Sequence, residues 1–414
     1  MQDDVSVQTN RCAPMALLDR KKVLGNEGLI RLASSLFFSF SPIFPSYSYS
    51  FVMAPIQPTR IFIIGGTGYV GATVTGQLLA SDPDKTKYSI RSLSRSPEKA
   101  EQDLVPLGIV PVHGTLDNLA LLEKEAADAD VVLSIADCDH MTSVQALLRG
   151  LQHRPRLDGS SRKRPILIHT SGACVLLDKA HGEYGSDTIY YDNDAAQLST
   201  LGVDQYHRVV DLEVLSPGLR GVADTYIIVP PAIWGYGSGP GKKGVFHVPP
   251  TVDVSLMQRR AIQIGKGLNL WSKVHVEDLA QLYIMMLERA LQEPVDDDNM
   301  ATATGRAPLP KNEDGYYFAQ GGEDFRWGDY AQIVARVFKE LGVNPSGEVV
   351  PLLRDEADAL FSPMFAQLIG ANSRCRAVKA RKILGWDPKR LDFASHAAEE
   401  LRCLIQEKQQ QGAL

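Results

Sequence analysis

The 414-residue chain predicts a doubly wound α/β fold: a parallel sheet with helices on both faces, joined to a smaller mixed α/β lobe. Three observations carry this. The segment RIFIIGGTGYVG at 60–71 reads as strand, glycine turn and helix. Short apolar runs then alternate with helical patterns as far as residue 229. From residue 230 the texture changes to a long glycine loop, an acidic stretch and dispersed helices.

Residues 60–64 form an apolar run rich in β-branched side chains, the length of a buried parallel strand. Gly65, Gly68 and Gly71 follow, and a helical pattern opens at Tyr69 and Val70. Gly65 permits the tight turn. Gly68 lets the backbone approach phosphates, and Gly71 lets the helix pack against the strand. Unpaired N–H groups at the helix start then face an anion, to which Thr67 can add its hydroxyl. With a strand before and a helix after, the pattern predicts a Rossmann dinucleotide site.

Further strands are expected at 88–93, 109–112, 130–136, 165–170 and 225–229, with helices at 119–127, 144–152 and 204–215. Beyond them, 235–244 reads as a glycine loop, 274–291 as a strong helix and 293–314 as an exposed acidic loop. A short strand is expected at 316–319 and an amphipathic helix at 327–341. A helix within 380–388 ends at Gly385, with Pro388 beyond it. The organisation predicted is a dinucleotide-binding domain over 53–235 and a substrate-binding lobe over 236–414, partly interleaved. Residues 1–52 are serine-rich and apolar around LFFSFSPIF, and proline interrupts them. They read as a disordered leader or a start assigned too early, rather than as a targeting segment.

A net charge of -6 leaves no basic footprint, which argues against nucleic acid as a partner. Five cysteines lie far apart without CxxC spacing, which fits a reducing compartment such as the cytoplasm. No apolar run reaches the ~18 residues of a spanning helix, so no membrane partner is expected. The expected partner is a small-molecule substrate, with the chain a monomer or homodimer.

With GGTGYVG, HTSG at 169–172, VPPAIWGYG at 229–237, VHVEDLA at 274–280 and LGWDP at 384–388 in this order, the chain resembles the extended short-chain dehydrogenase/reductases. More closely, it resembles their atypical branch of fungal NAD-dependent epimerase/dehydratase-like proteins. The resemblance covers about residues 58–404. It implies NADP or NAD as cofactor and an oxidoreductase or epimerase acting on a small carbonyl or hydroxyl compound, with a role in fungal secondary metabolism as one setting. The alternative is a cofactor-binding sensor without turnover, like the NmrA-type regulators.

An acid at the end of the second strand would favour NAD, a base NADP. The segment IRSLSRSPEKA has no acid before Glu98, and Arg95 is placed to clamp a 2′-phosphate. The expectation is NADP over NAD, with Arg91 a weaker candidate. The resemblance also implies that Ala136 and Asp137 lie on the adenine ribose side and that Pro230 and Pro231 lie near the nicotinamide. The cofactor-binding residues expected are thus Gly65, Thr67, Gly68, Tyr69, Val70, Gly71, Arg95, Ala136, Asp137 and Pro230.

The resemblance further implies a Ser, a Tyr and a Lys four residues after it, the ammonium helping a phenol of ordinary pKa about 10 to act near neutrality. Ser171 stands where the serine belongs, with Thr170 as alternative. Tyr206 is the candidate tyrosine, yet its i+4 residue is Val210, and no Y-x-x-x-K occurs between Ser171 and residue 225. Tyr190 and Tyr191 lack the lysine too. His207 is an alternative occupant of the lysine position, and Tyr206 reads equally as a half-exposed helix aromatic. Cys138 with His140 reads as incidental, and no metal is expected. Asp192, Asn193 and Asp194 lack the glycine and terminal glutamate of a calcium loop. The lysines after Gly241 read as solvated, and His275 as either a cleft residue or a cap.

Overall fold

The computed structural model describes residues 57–154, 164–241, 248–293 and 306–410. The expectation for residues 1–52 lies outside the described residues, as do Lys242 and Lys243 of the glycine loop. Residues 57–414 gather into one compact unit.

Its first half is β1 (Thr59–Ile64), α1 (Tyr69–Ser81), β2 (Tyr88–Ser94), α2 (Pro97–Asp103), β3 (Val110–His113), α3 (Leu119–Asp128), β4 (Val131–Ser134), α4 (Met141–Gln152) and β5 (Ile166–Thr170). There follow β6 (Tyr190–Tyr191), α5 (Ala195–Ser199), α6 (Arg208–Val214), β7 (Asp224–Val229) and β8 (Ala232–Trp234). Then come α7 (Val248–Met257), β9 (Ala261–Ile264), β10 (Leu270–Trp271), β11 (Lys273–His275), α8 (Val276–Gln292) and β12 (Tyr316–Phe318).

Seven strands make the central sheet in the order β12-β7-β5-β4-β1-β2-β3. Every pairing in it is parallel. The sheet is Rossmann-type: strand order reverses between β1 and β4, which opens a crevice at their carboxyl ends. Ile61–Ile64 and Val131–Leu133 are at most 1% exposed, so both inner strands read as unbroken apolar runs. The edge strand β12 comes from the region past residue 236, so the carboxy-terminal part completes the sheet it covers.

Two expectations about elements are corrected. The helix expected at 204–215 starts only at Arg208, because His207 takes φ +67, outside the right-handed helical region. The helix expected from residue 274 starts at Val276, because residues 273–275 pair with β8 as a parallel strand. His275 is the residue before that helix, and its Nδ1 accepts from the Glu277 N–H at 3.1 Å. Its ring packs edge-on against Trp234, with centroids 4.6 Å apart. Burial holds its pKa at about 3, so it stays neutral and free to accept.

The glycine loop is a strap laid along α1. The Ser238 N–H donates to Glu277 Oε1 at 2.7 Å, and the Tyr69 hydroxyl donates to the Gly235 carbonyl. At Gly239 a Cβ would stand 2.2 Å from the Ala72 carbonyl oxygen, so only glycine permits this approach. Gly76, midway along α1, is the matching gap on the helix side, with a Cβ there meeting Gly239 at 2.8 Å.

The last helix, Phe393–Gln410, buries Glu400 at 8% exposure. Burial, and then the neighbouring Glu399, push its carboxyl up to about 7. A carboxyl raised on folding adds stability that is complete below its unfolded pKa near 4.5 and is lost as pH rises through about 7. Glu400→Gln is therefore expected to leave stability at pH 4 nearly unchanged and to raise it at pH 8. The gain should approach about 3 kcal/mol at 1.36 kcal/mol per unit. Urea unfolding at the two pH values checks this, and equal gains at both would refute it.

Candidate dinucleotide site and its carboxyl-end cluster

A cavity of about 870 Å³ lies in the crevice between β1 and β4. Gly65, Thr67 and Gly68 line one wall, Ile135, Ala136 and Asp137 the opposite wall, and Ser94, Arg95, Ser96 and Lys99 the far end. Gly65 has φ +88, and a Cβ on it would stand 2.9 Å from the Ile135 carbonyl group. The two loops touch there because glycine leaves the room. Gly68 caps α1 in extended conformation with no side-chain cap, so the first-turn N–H groups of a 13-residue helix open toward the cavity. At Gly71 a Cβ would lie 2.0 Å from the Gly65 carbonyl oxygen, which enforces the close helix–strand packing.

Of the residues expected to bind cofactor, the structure brings Gly65, Thr67, Gly68, Arg95, Ala136 and Asp137 to this cavity. Tyr69 is buried beneath the strap instead, and Gly71 acts through packing. Val70 is half-buried against the core. The Pro230 carbonyl accepts from the Ala173 N–H at 2.9 Å, next to the turn after β5. Arg91 is engaged elsewhere, its guanidinium donating to both Glu125 oxygens at 2.6 and 2.9 Å. Lys99 and Ser96 were not singled out from sequence. The signal was available: Lys99 lies four residues after Arg95, and Ser96 caps α2 by accepting from the Lys99 N–H at 3.2 Å. Gly241 also lines the cavity, brought there by the strap.

At the carboxyl end of β5, Ser171 is buried and donates to Asp211 Oδ2 at 3.0 Å. The Tyr316 hydroxyl donates to the same oxygen at 2.9 Å. Burial raises the Asp211 carboxyl to about 6 even though both hydroxyls favour its ionised form. Thr170 pairs with the Tyr283 hydroxyl at 2.6 Å. Tyr206 sits in the turn before α6 rather than on it. Its hydroxyl reaches Gln367 Oε1 at 3.4 Å, and its ring packs on the apolar cluster of the second lobe.

The residue beside it, His207, holds the position facing β5. Its αL backbone lays the ring over Gly172, where a Cβ would stand 2.9 Å from Nε2. Nδ1 lies 2.8 Å from Asp139 Oδ1 and 3.3 Å from Cys138 Sγ. Burial pulls the imidazole pKa down, but hydrogen bonds with Asp139, Cys138 and Cys174 outweigh it and hold the pKa well above the ordinary value. Spacing along the chain could not reveal this cluster, because its members lie on three separate loops. His140, the sequence neighbour of Cys138 and Asp139, is turned away: its Nδ1 accepts from the Ser143 N–H as the cap of α4, and its Nε2 meets Asp117.

Asp192, weighed as part of a calcium loop, is a structural acceptor. Its carboxylate takes backbone N–H groups of Phe318, Val378 and Lys379 at 2.9–3.1 Å.

The fold is a Rossmann-type parallel α/β sheet with a glycine-walled crevice at the carboxyl ends of β1 and β4. No family model matches the chain. The oxidase ucsJ of an Acremonium species is 28% identical over 357 residues, covering 84% of this chain and 97% of that protein. A dTDP-glucose 4,6-dehydratase from Bacillus anthracis, solved with NAD, superposes with a TM-score of 0.56 at 14% identity, covering 85% of this chain and 98% of that one. A UDP-glucose 4-epimerase from Thermotoga maritima, solved with UDP-glucose, gives 0.53 at 12% identity, covering 84% and 99%. The resemblance to extended short-chain dehydrogenase/reductases therefore holds at the level of the fold. Among the described residues, no helix is long and apolar enough to cross a membrane.

Proposed function

We propose that the protein is an NADP-preferring oxidoreductase acting on a small carbonyl or hydroxyl compound. The crevice between β1 and β4 carries the reading: a glycine-walled cavity of about 870 Å³ ends in Arg95, Ser96 and Lys99. The residues present fit the cofactor, since added Cβ atoms at Gly65 and Gly68 would intrude on that wall. A nicotinamide dinucleotide bound here would supply or accept a hydride.

The first-turn amides of α1 and the Thr67 hydroxyl would hold its diphosphate. Arg95 and Lys99 would neutralise a 2′-phosphate, and Ala136 and Asp137 on the opposite wall would take the adenine ribose side. Ser171 orients the substrate oxygen at the end of β5, where its proton has Asp211 as acceptor. Tyr206 remains the tyrosine proposed to move a proton, approaching from the substrate-lobe side. The match to an oxidase of a fungus, over 84% of this chain and 97% of that protein, supports this class of reaction and a place in fungal metabolism.

Nicotinamide fluorescence titration tests the reading. NADPH is expected to bind more tightly than NADH. Arg95→Ala should weaken NADPH about tenfold, a loss of about 1.4 kcal/mol, while leaving NADH unchanged. A screen of carbonyl compounds for NADPH oxidation follows, with Ser171→Ala and Tyr206→Phe as site variants. Binding of neither nucleotide overturns the proposal. Tight binding without oxidation across a broad panel favours the sensor, and wild-type turnover in both variants overturns the residue roles.

A further inference from the structure

Three loops converge at the carboxyl ends of β4 and β5 on side chains that a turnover reading built on Ser171 and Tyr206 does not use. Cys138 and Asp139 follow β4, Cys174 lies on the turn Ala173–Leu176 after β5, and His207 precedes α6. One ligand atom from each of Cys138, Asp139 and His207 lies within 4.8 Å of the other two.

We propose that Cys138 Sγ, His207 Nδ1 and Asp139 Oδ1 form a binding site for a zinc-class divalent cation. Sulfur, nitrogen and carboxylate oxygen are the donor set that zinc takes, and the bound cation would displace the Cys138 thiol proton and the imidazole proton at Nδ1 to solvent. Tetrahedral zinc with bonds of about 2.0–2.3 Å separates sulfur from nitrogen by about 3.6 Å, and Cys138 and His207 stand 3.3 Å apart. The 2.8 Å between His207 and Asp139 would open by about 0.5 Å to meet the same geometry. Asp139 is free to make that movement, its side chain being 52% exposed while that of His207 is 12% exposed.

The backbone supports a built site. A non-glycine residue at φ +67 is uncommon, and here it is what aims the imidazole at the other ligands. Gly172 supplies the empty space under the ring. Three protein ligands leave a fourth position open, the arrangement of catalytic rather than structural zinc. The His207 ring lies over Gly172, the residue after Ser171, so a cation held there would act as a Lewis acid on a substrate oxygen where no Tyr–Lys pair is present. The site itself stands independently of dinucleotide binding.

Cobalt(II) is the direct probe. The full chain, stripped with a chelator and dialysed, is titrated with Co²⁺ and followed by absorption. One equivalent is expected to bring visible bands of tetrahedral intensity and a near-ultraviolet thiolate-to-cobalt band, both abolished by one equivalent of Zn²⁺. Cys138→Ser should remove the thiolate band, and Asp139→Asn, at an exposed position, should weaken Zn²⁺ without disturbing the fold. Cys403→Ser serves as the control and should bind as wild type. Circular dichroism and NADPH titration on the same samples report whether each variant is folded. Absence of the bands at one equivalent overturns the proposal, as do bands unchanged by both Cys138→Ser and Asp139→Asn. The cluster would then be a hydrogen-bonded His–Asp pair without a metal.

Discussion

Replacing Gly71 by alanine is expected to destabilise the protein by about 3 kcal/mol, at the upper end of ordinary overpacking, and to abolish dinucleotide binding. The added methyl would lie 2.0 Å from the Gly65 carbonyl oxygen and 2.7 Å from its carbon. Both atoms are backbone of the turn, so no rotamer change relieves the contact. Either α1 moves off β1 or the turn moves into the cavity. Gly68→Ala is expected to behave differently. Its methyl would meet only the Gly65 oxygen, at 3.2 Å, so the fold should survive with little loss. The methyl would nevertheless stand where, on the proposed function, a diphosphate would approach the amides. A loss of about 2.8 kcal/mol in binding corresponds to a Kd about 100-fold higher. Urea unfolding and NADPH fluorescence on the two variants separate the roles. Equal stability losses would show that the clash at position 71 relaxes, and unchanged NADPH affinity in Gly68→Ala would count against the diphosphate site itself.

Asp192→Ala should be the most damaging single change outside the crevice. The carboxylate is 1% exposed and accepts three backbone N–H groups from two elements remote in sequence. One belongs to β12, the edge strand of the main sheet, and two open the helix Val378–Leu384. Alanine would leave three buried donors without partners, each worth about 1–3 kcal/mol. After partial relaxation a net loss of about 4 kcal/mol is expected, which is exceptional for a point change. Burial pushes the Asp192 carboxyl up to about 6 despite those donors. Its contribution to stability is thus complete below the unfolded pKa and declines as pH rises through about 6. Asp192→Asn keeps one acceptor oxygen, loses the charge and should fall between wild type and alanine, with a flatter pH dependence. Urea midpoints at pH 5 and pH 8 check both statements, and a loss under 1 kcal/mol in the alanine variant would show that water replaces the carboxylate.

These two sites differ in how far they could be read in advance. The role of Gly71 follows from local spacing: strand, turn and helix are contiguous, so 12 residues at 60–71 contain the whole geometric requirement. Arg95 was legible for the same reason, lying one residue past β2 at the end of the crevice. Asp192 was not legible, because its three donors lie 126–187 residues further along the chain. Seen as a string, it was an acid among acids.

The helix boundaries show the same division. Residues 204–207 carry a helical pattern, yet α6 begins at Arg208. What overrides the pattern is the contact of the His207 ring with Asp139 and Cys138, which the left-handed backbone makes possible. The strap of 235–241 was readable as a glycine loop, but not as a ribbon fitted along α1, since that depends on the Gly76 gap facing Gly239.

Local periodicity and contiguous turn chemistry were therefore enough to specify the sheet strands, the first helix and the glycine-walled crevice. Each depends on interactions within a few residues, or on an apolar pattern that any parallel sheet must bury. Tertiary structure alone decided that β12 returns to the sheet edge, that Tyr206 faces the second lobe, and that His207 meets Cys138 and Asp139 at the end of β5. Those outcomes rest on pairings between residues far apart along the chain, and composition and spacing carry no record of which distant partner a side chain meets.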